Sequence, residues 1–164
     1  MRIRLTAAVA AALAIVVPSG AASAQAVDRY KVIAECTDTI NRYAHTRDQL
    51  DAEAHANLFT EDAVFESGGP PTVGRKAIAQ RIRDTNPSAM TRHMSGSIVV
   101  SIDDKNAITA KSYFHVFQAT KPEAPKPVPA TSYLFVEYTD QMAMVGGSCK
   151  IARRKFELVF AGKS

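Results

Sequence analysis

The chain has 164 residues, with 20 Lys and Arg against 16 Asp and Glu, a formal net charge of +4 and 46% hydrophobic residues. That suits one globular domain with its own core. So small a positive surplus gives no ground for a nucleic-acid or anionic-membrane binder.

The N-terminal "MRIRLTAAVAAALAIVVPSGAASAQA" has Arg2 and Arg4, an apolar run from Ala7 to Val17, and a break at Pro18-Ser19-Gly20. Small residues follow, suited to cleavage after Ala24 or Ala26. This reads as a secretory signal peptide over residues 1–26, because the apolar run is too short for a membrane anchor. Its removal leaves 18 basic against 16 acidic residues, a net charge of about +2. The expected mature protein is a single soluble domain over residues 27–164, periplasmic or secreted, with no membrane or nucleic-acid partner.

From Asp28 to about Arg47, apolar groups at Val32, Ile33, Cys36, Ile40, Tyr43 and Ala44 recur in steps of three and four. That spacing predicts an amphipathic helix. A second helix starts at Asp51, which can cap it, and buries Ala54, Leu58 and Phe59. "AVFE" reads as a short strand, "SGGPPTVG" as a loop, and "RKAIAQRIRD" as a third helix with Ile78 and Ile82 one turn apart. The period then changes to two. "TRHMSGSIVVSID", "AITAKSYFHVFQAT", "TSYLFVEYTDQM" and "CKIARRKFELVF" read as four long strands. The four prolines of "KPEAPKPVPA" exclude a strand there. Helices first and sequential strands afterwards predict an α+β fold. The helices gather over the concave face of a strongly curved antiparallel sheet, leaving a cavity for a small ligand.

Two cysteines remain in the mature chain. Cys36 lies on the helical stripe and Cys149 opens a strand, so they read first as small buried apolar side chains. A disulfide in an oxidising compartment is the alternative.

Tyr43 completes the apolar stripe, and a buried phenol needs a partner for its hydroxyl. Asp48 falls at or after the helix end, either solvated or turned back toward the cavity. Asp51 reads as an N-cap, and His45 and His55, off the stripes, as surface residues. His93 opens the first long strand, where it is either structural or catalytic. His115 alternates with Tyr113 and Phe117, an aromatic face that reads as core or pocket wall. Arg154 shares a strand face with Ala152 and Phe156, and if buried it needs a carboxylate or an anionic ligand. Arg153 then points to solvent. The chain has no GxSxG elbow, P-loop, dinucleotide fingerprint or HExxH. Its four histidines are too scattered to mark a metal site by spacing, which leaves a two-His-one-carboxylate cluster assembled through space as the alternative.

Taken in order, "INRYAHTRDQLDAEAHANLFTEDAVF", "VGRKAIAQRI", "TRHMSG", "AITAKSYFHVF", "EYTD" and "CKIARRKFELV" resemble the SnoaL-like branch of the nuclear-transport-factor-2-like superfamily. The likeness covers nearly the whole mature chain. It implies a cone-like α+β barrel with three helices and a deep apolar pocket. Polyketide cyclases, scytalone dehydratase, bile-acid dehydratase and hexachlorocyclohexane dehydrochlorinase lie in this branch. In them a His-Asp pair commonly removes a proton and tyrosines polarise the departing oxygen. Tyr43 and Asp48 fit the family's Y-x4-D, and His93 fits its strand histidine. Arg154 fits the arginine closing the pattern W-x-I-x-x-R, in which Cys149 replaces the tryptophan. The resemblance thus implies His93, Asp48 and Tyr43 as catalytic residues. Arg154, Tyr113, His115, Phe117 and Phe135 are the expected substrate-binding residues. The implied activity is a cofactor-free, metal-free lyase or isomerase, dehydratase-like, on a small apolar hydroxylated or carbonyl substrate. The expected assembly is a homodimer. The alternative function is a periplasmic, non-catalytic binding module for a small apolar ligand, its pocket lined by Tyr113, Phe117, Phe135 and Phe156.

Overall fold

A computed structural model describes residues 20–123 and 127–163. Most of the segment read as a signal peptide, residues 1–19, lies outside the described residues. So does the middle of the proline-rich loop. Helix α1 (Gly20–Gln49) begins earlier than the stripe alone predicts, running back through Ala-rich sequence of high helix propensity. Its inward face carries Cys36, Ile40, Tyr43 and Ala44, all buried. Leu50, in the left-handed region at φ 56°, ends the helix. Asp51 then caps α2 (Ala52–Ala56) by accepting from the Ala54 N–H at 3.0 Å, as its sequence position predicts.

The chain continues through β1 (Phe59–Glu66), β2 (Thr72–Val73), α3 (Arg75–Arg83) and four long strands. These are β3 (Ala89–Ile102), β4 (Ile108–Thr120), β5 (Ser132–Val145) and β6 (Ser148–Lys163). The six strands form one sheet in the order β2-β1-β6-β5-β4-β3, curled but not closed. The α+β class, the three helices and the four long strands match the sequence reading. Two details differ. The sheet is mixed, because β1 runs parallel to β6 (Phe65 opposite Arg154). The Gly-Pro loop also contains β2, which pairs with β1 at Val64 and Val73. Among the described residues, no helix is long and apolar enough to cross a membrane.

The core fills the inside of the curl with Ile40, Phe59, Phe114, Val136 and Ile151, each fully buried. Cys36 and Cys149 join across it as a disulfide, tying α1 to β6 over 113 residues. The pair is therefore covalent, and the simpler reading of two separate apolar side chains is corrected. Thr39 Oγ1 adds a second tie, 2.8 Å from the Cys149 carbonyl.

Two bulges decide what enters the curl. On β3, Ser95 faces Phe114 while Ile98 faces Ser112, so one extra residue is accommodated near Gly96. There a Cβ would sit 3.4 Å from the Tyr113 carbonyl oxygen. On β6, Ile151 faces Met142 while Arg153 faces Gln141, which leaves Ala152 extra. Each bulge reverses the in-out alternation of its strand. As a result His93 and Ile98 both turn inward on β3, and Ile151 and Arg154 both turn inward on β6.

Candidate active site

Asp48 stands in the last turn of α1, beside β3. Its Oδ1 lies 2.5 Å from His93 Nδ1 and 2.8 Å from the Thr91 hydroxyl, and its Oδ2 accepts the His93 backbone N–H at 2.8 Å. Both side chains are nearly buried, His93 at 8% and Asp48 at 13% exposure. Burial alone would raise the Asp48 pKa. Hydrogen bonds from the His93 ring, its backbone N–H and Thr91 outweigh that and hold the carboxyl below its usual range. An ionised carboxylate only accepts, so Nδ1 carries the imidazole proton and Nε2 is left as a base.

A second cluster lies alongside. Arg154 and Asp140, both fully buried, form a two-pronged ion pair, Nε to Oδ1 at 2.7 Å and Nη2 to Oδ2 at 2.6 Å. The guanidinium carbon sits 4.1 Å from the Tyr43 ring centre and 4.3 Å from that of Tyr138. Cation–π attraction thus holds both rings on one charge. Burial opposes that charge, yet the Asp140 carboxylate raises the Arg154 pKa above its ordinary value. The two phenol oxygens are 3.5 Å apart. Burial, reinforced by Tyr43, pushes the Tyr138 pKa well up, so Tyr138 is a neutral donor.

The two clusters share a cavity of about 200 Å³. Tyr43, His93 and Tyr138 line it together with apolar walls from Phe65, Val116, Leu134 and Phe156, and with Arg47 and Arg81. A smaller recess of about 70 Å³ adjoins through Tyr43, Arg47, Phe65 and Arg81. A larger groove, about 900 Å³, opens at the other end of the same strands among Val32, Ile102, Ile108 and Met142. Among the described residues Arg29 is its one ionisable group, so its size alone does not make it the reactive site. Among the described residues, no cluster of three His, Cys, Asp or Glu side chains could hold a metal.

The structure thus brings together His93, Asp48, Tyr43 and Arg154 of the residues singled out from sequence. Arg154 does not face the cavity as a free anion binder, because Asp140 already holds it. The expectation for Tyr113, His115, Phe117 and Phe135 is corrected. Along β4 the buried set is Ala110, Ser112, Phe114 and Val116, so the odd-numbered side chains stand on the outer face. There His115 and Phe135 pack at 4.8 Å, and Phe135 and Phe160 at 5.7 Å. Alternation predicted an aromatic face, and the face is aromatic, but it is the convex one. Of the pocket wall read as Tyr113, Phe117, Phe135 and Phe156, Phe156 alone lines the cavity.

His55 is also corrected. It is 3% exposed, packed 4.6 Å from the Tyr43 ring, with Nδ1 3.0 Å from Thr46 Oγ1. Burial first, then the positive charges of Arg154 and Arg47, lower its pKa to about 3, so it is neutral. The helix α2 is too short for a stripe to betray this. Sequence reasoning also passed over Tyr138 and Asp140. Their signal was available: Val136, Tyr138, Asp140 and Met142 alternate inward on β5, and a buried arginine demands a carboxylate.

With this geometry in hand, the relatives are informative. The SnoaL-like domain model matches residues 28–155. A comparison with curated proteins gives no match. Among solved structures, the chain is similar to a provisionally assigned scytalone dehydratase of Novosphingobium aromaticivorans. The identity is 18% and the TM-score 0.69, over 87% of this chain and 91% of that one. It is also similar to a hexachlorocyclohexane dehydrochlorinase, LinA type 2, at 10% identity and TM-score 0.69 over 88% and 93%. ActVI-ORFA of Streptomyces coelicolor gives 22% identity and TM-score 0.63 over 76% and 95%. At such identities the likeness speaks for the fold. The chain belongs to the SnoaL-like domain family, in the NTF2-like superfamily.

Proposed function

We propose that this protein is an exported, cofactor-free lyase or isomerase of the dehydratase type, acting on a small, largely apolar substrate with a hydroxyl or carbonyl group. One observation carries the reading: the His93–Asp48 pair, closed at 2.5 Å, opens on the same cavity as Tyr43 and Tyr138. A base, its orienting carboxylate and neutral phenol donors are the parts that proton abstraction next to a carbonyl requires.

In this reading His93 Nε2 takes a proton from the carbon beside the carbonyl, and Asp48 stabilises the imidazolium that results. The C–H electron pair moves into an enolate, whose oxygen is met by the Tyr43 and Tyr138 hydroxyls. Arg154, behind both rings, favours that negative charge. In a dehydration the enolate then expels the β-hydroxyl, which takes the proton from the His93 imidazolium and leaves as water, restoring the base. In an isomerisation His93 returns its proton to another carbon. The convergence of titratable groups favours an enzyme over a carrier, whose pocket would be nearly all apolar.

The export reading rests on the N-terminal sequence, and the Cys36–Cys149 disulfide supports an oxidising compartment. The exposed convex aromatics support pairing of two copies, which sedimentation at micromolar concentration would reveal. The test of function is turnover. With a substrate found by screening hydroxylated and carbonyl compounds, His93→Ala should keep binding and lower kcat at least about a hundredfold. Wild-type turnover in that variant would remove His93 as the base.

A further inference from the structure

We propose that the substrate carries a carboxylate, received at the mouth of the cavity by Arg47 and Arg81. This rests on the cavity being where substrate sits, and it narrows the class of substrate.

Both arginines line the cavity and its adjoining recess. Other arginines of this region are committed to carboxylates: Arg75 to Glu61, Arg83 to Glu53, Arg153 to Glu66 and Arg154 to Asp140. Arg47 and Arg81 have no such partner among the described residues. Arg81 Nη1 rests on two hydroxyls, Thr72 Oγ1 at 3.0 Å and Ser67 Oγ at 3.3 Å, and its guanidinium lies 4.7 Å over the Phe65 ring. Those contacts fix its direction without neutralising it. Arg47 Nη1 is sealed from solvent and has no acceptor among the described residues. A buried guanidinium donor left open is costly, as at Arg154 Nη1 too, and a carboxylate in the cavity would satisfy the one on Arg47.

The neighbouring acids cannot fill it. Asp48 is occupied by His93 and Thr91, and Asp140 by Arg154. Three guanidiniums therefore surround the site against two carboxylates, with His55 neutral. The lowered His55 pKa reports the same positive field, with Arg154, Arg47 and Arg81 among its causes after burial. A planar carboxylate matches the fork of a guanidinium, and an apolar body would then run between Phe65, Leu134 and Phe156 toward His93.

Three acids serve as probes, trans-cinnamate, benzoate and 3-phenylpropionate, each against its primary amide, by calorimetric titration of the wild-type chain at low salt. At least one acid should bind about tenfold or more tightly than its amide, the scale of a charge-assisted contact. In Arg47→Met and in Arg81→Met that preference should shrink to within about twofold, while Lys111→Met, on the convex face, retains it. Arg81 is exposed on α3, so its variant tests the idea even where Arg47→Met fails to fold. Equal or absent binding for every acid–amide pair would overturn the proposal, as would a preference that survives Arg81→Met. The readout is binding. A clear acid preference with unchanged turnover in His93→Ala would break the catalytic reading alone.

Discussion

Each face of the sheet carries, beside its ordinary residues, side chains of the opposite kind. Inside the curl, where an apolar core is the rule, stand Arg154, Asp140, Asp48, two histidines and two tyrosine hydroxyls. Outside, where polar groups are the rule, stand Tyr113, Phe117, Tyr133 and Phe160, the last 64% exposed. Strands β3 to β6 supply both faces with alternate residues, and α1 and α2 add Tyr43, Asp48 and His55 to the inner one. Neither arrangement serves the stability of the lone chain: buried ions are expensive, and exposed rings leave apolar area in water. The difference teaches that the inner polar set is kept for chemistry and the outer apolar set for contact.

Stability measurements can break or sharpen that contrast. The largest effect belongs to the inner face. Asp140→Asn strands the Arg154 charge at zero exposure and should cost about 3–5 kcal/mol in urea unfolding. On the outer face Phe117→Ser, at a position 38% exposed, should cost about 1 kcal/mol in the same measurement, the scale of lost strand propensity. Comparable losses in both variants would erase the distinction.

A smaller inner-face effect is read by pH. The His55 pKa falls from 6.5 unfolded to about 3 folded, so the unfolded chain takes up the proton first as pH drops. Stability from this site is intact above about pH 6.5 and is lost on the way down to about pH 3. From about pH 7 to pH 5 it should fall by about 2 kcal/mol. His55→Gln should lack that part of the slope, and identical slopes in both proteins would place His55 in solvent.

Much of this was legible in the sequence, and the failures have physical causes. Helical stripes and strand alternation located every long element, because burial on one face imposes those periods. Alternation also found the aromatic face of β4, but period two cannot say which face is inside. Phase comes from the packing partner, and here α1 lies against β3 and β6. The bulge at Ala152 had no mark in the sequence, whereas a glycine inside a strand, Gly96, was a sign of the other that went unused. Arg154 was read as inward beside Ala152, whereas the bulge puts it inward beside Ile151. Asp48 could not be chosen over Asp51 from spacing. The resemblance chose it, and the left-handed turn at Leu50 shows how two carboxylates three residues apart diverge, one to β3 and one to the cap of α2.

The central claim is that His93 presents a bare Nε2 to the cavity because Asp48 holds the proton on Nδ1. Long-range nitrogen–proton NMR correlation of the imidazole rings measures this directly and needs no substrate. At about pH 7.5 the His93 ring, assigned by its loss in His93→Gln, should be the Nδ1–H tautomer in the wild-type chain. In Asp48→Asn it should lose that preference. An Nε2–H tautomer in the wild type, or a ring unchanged by Asp48→Asn, would contradict the account.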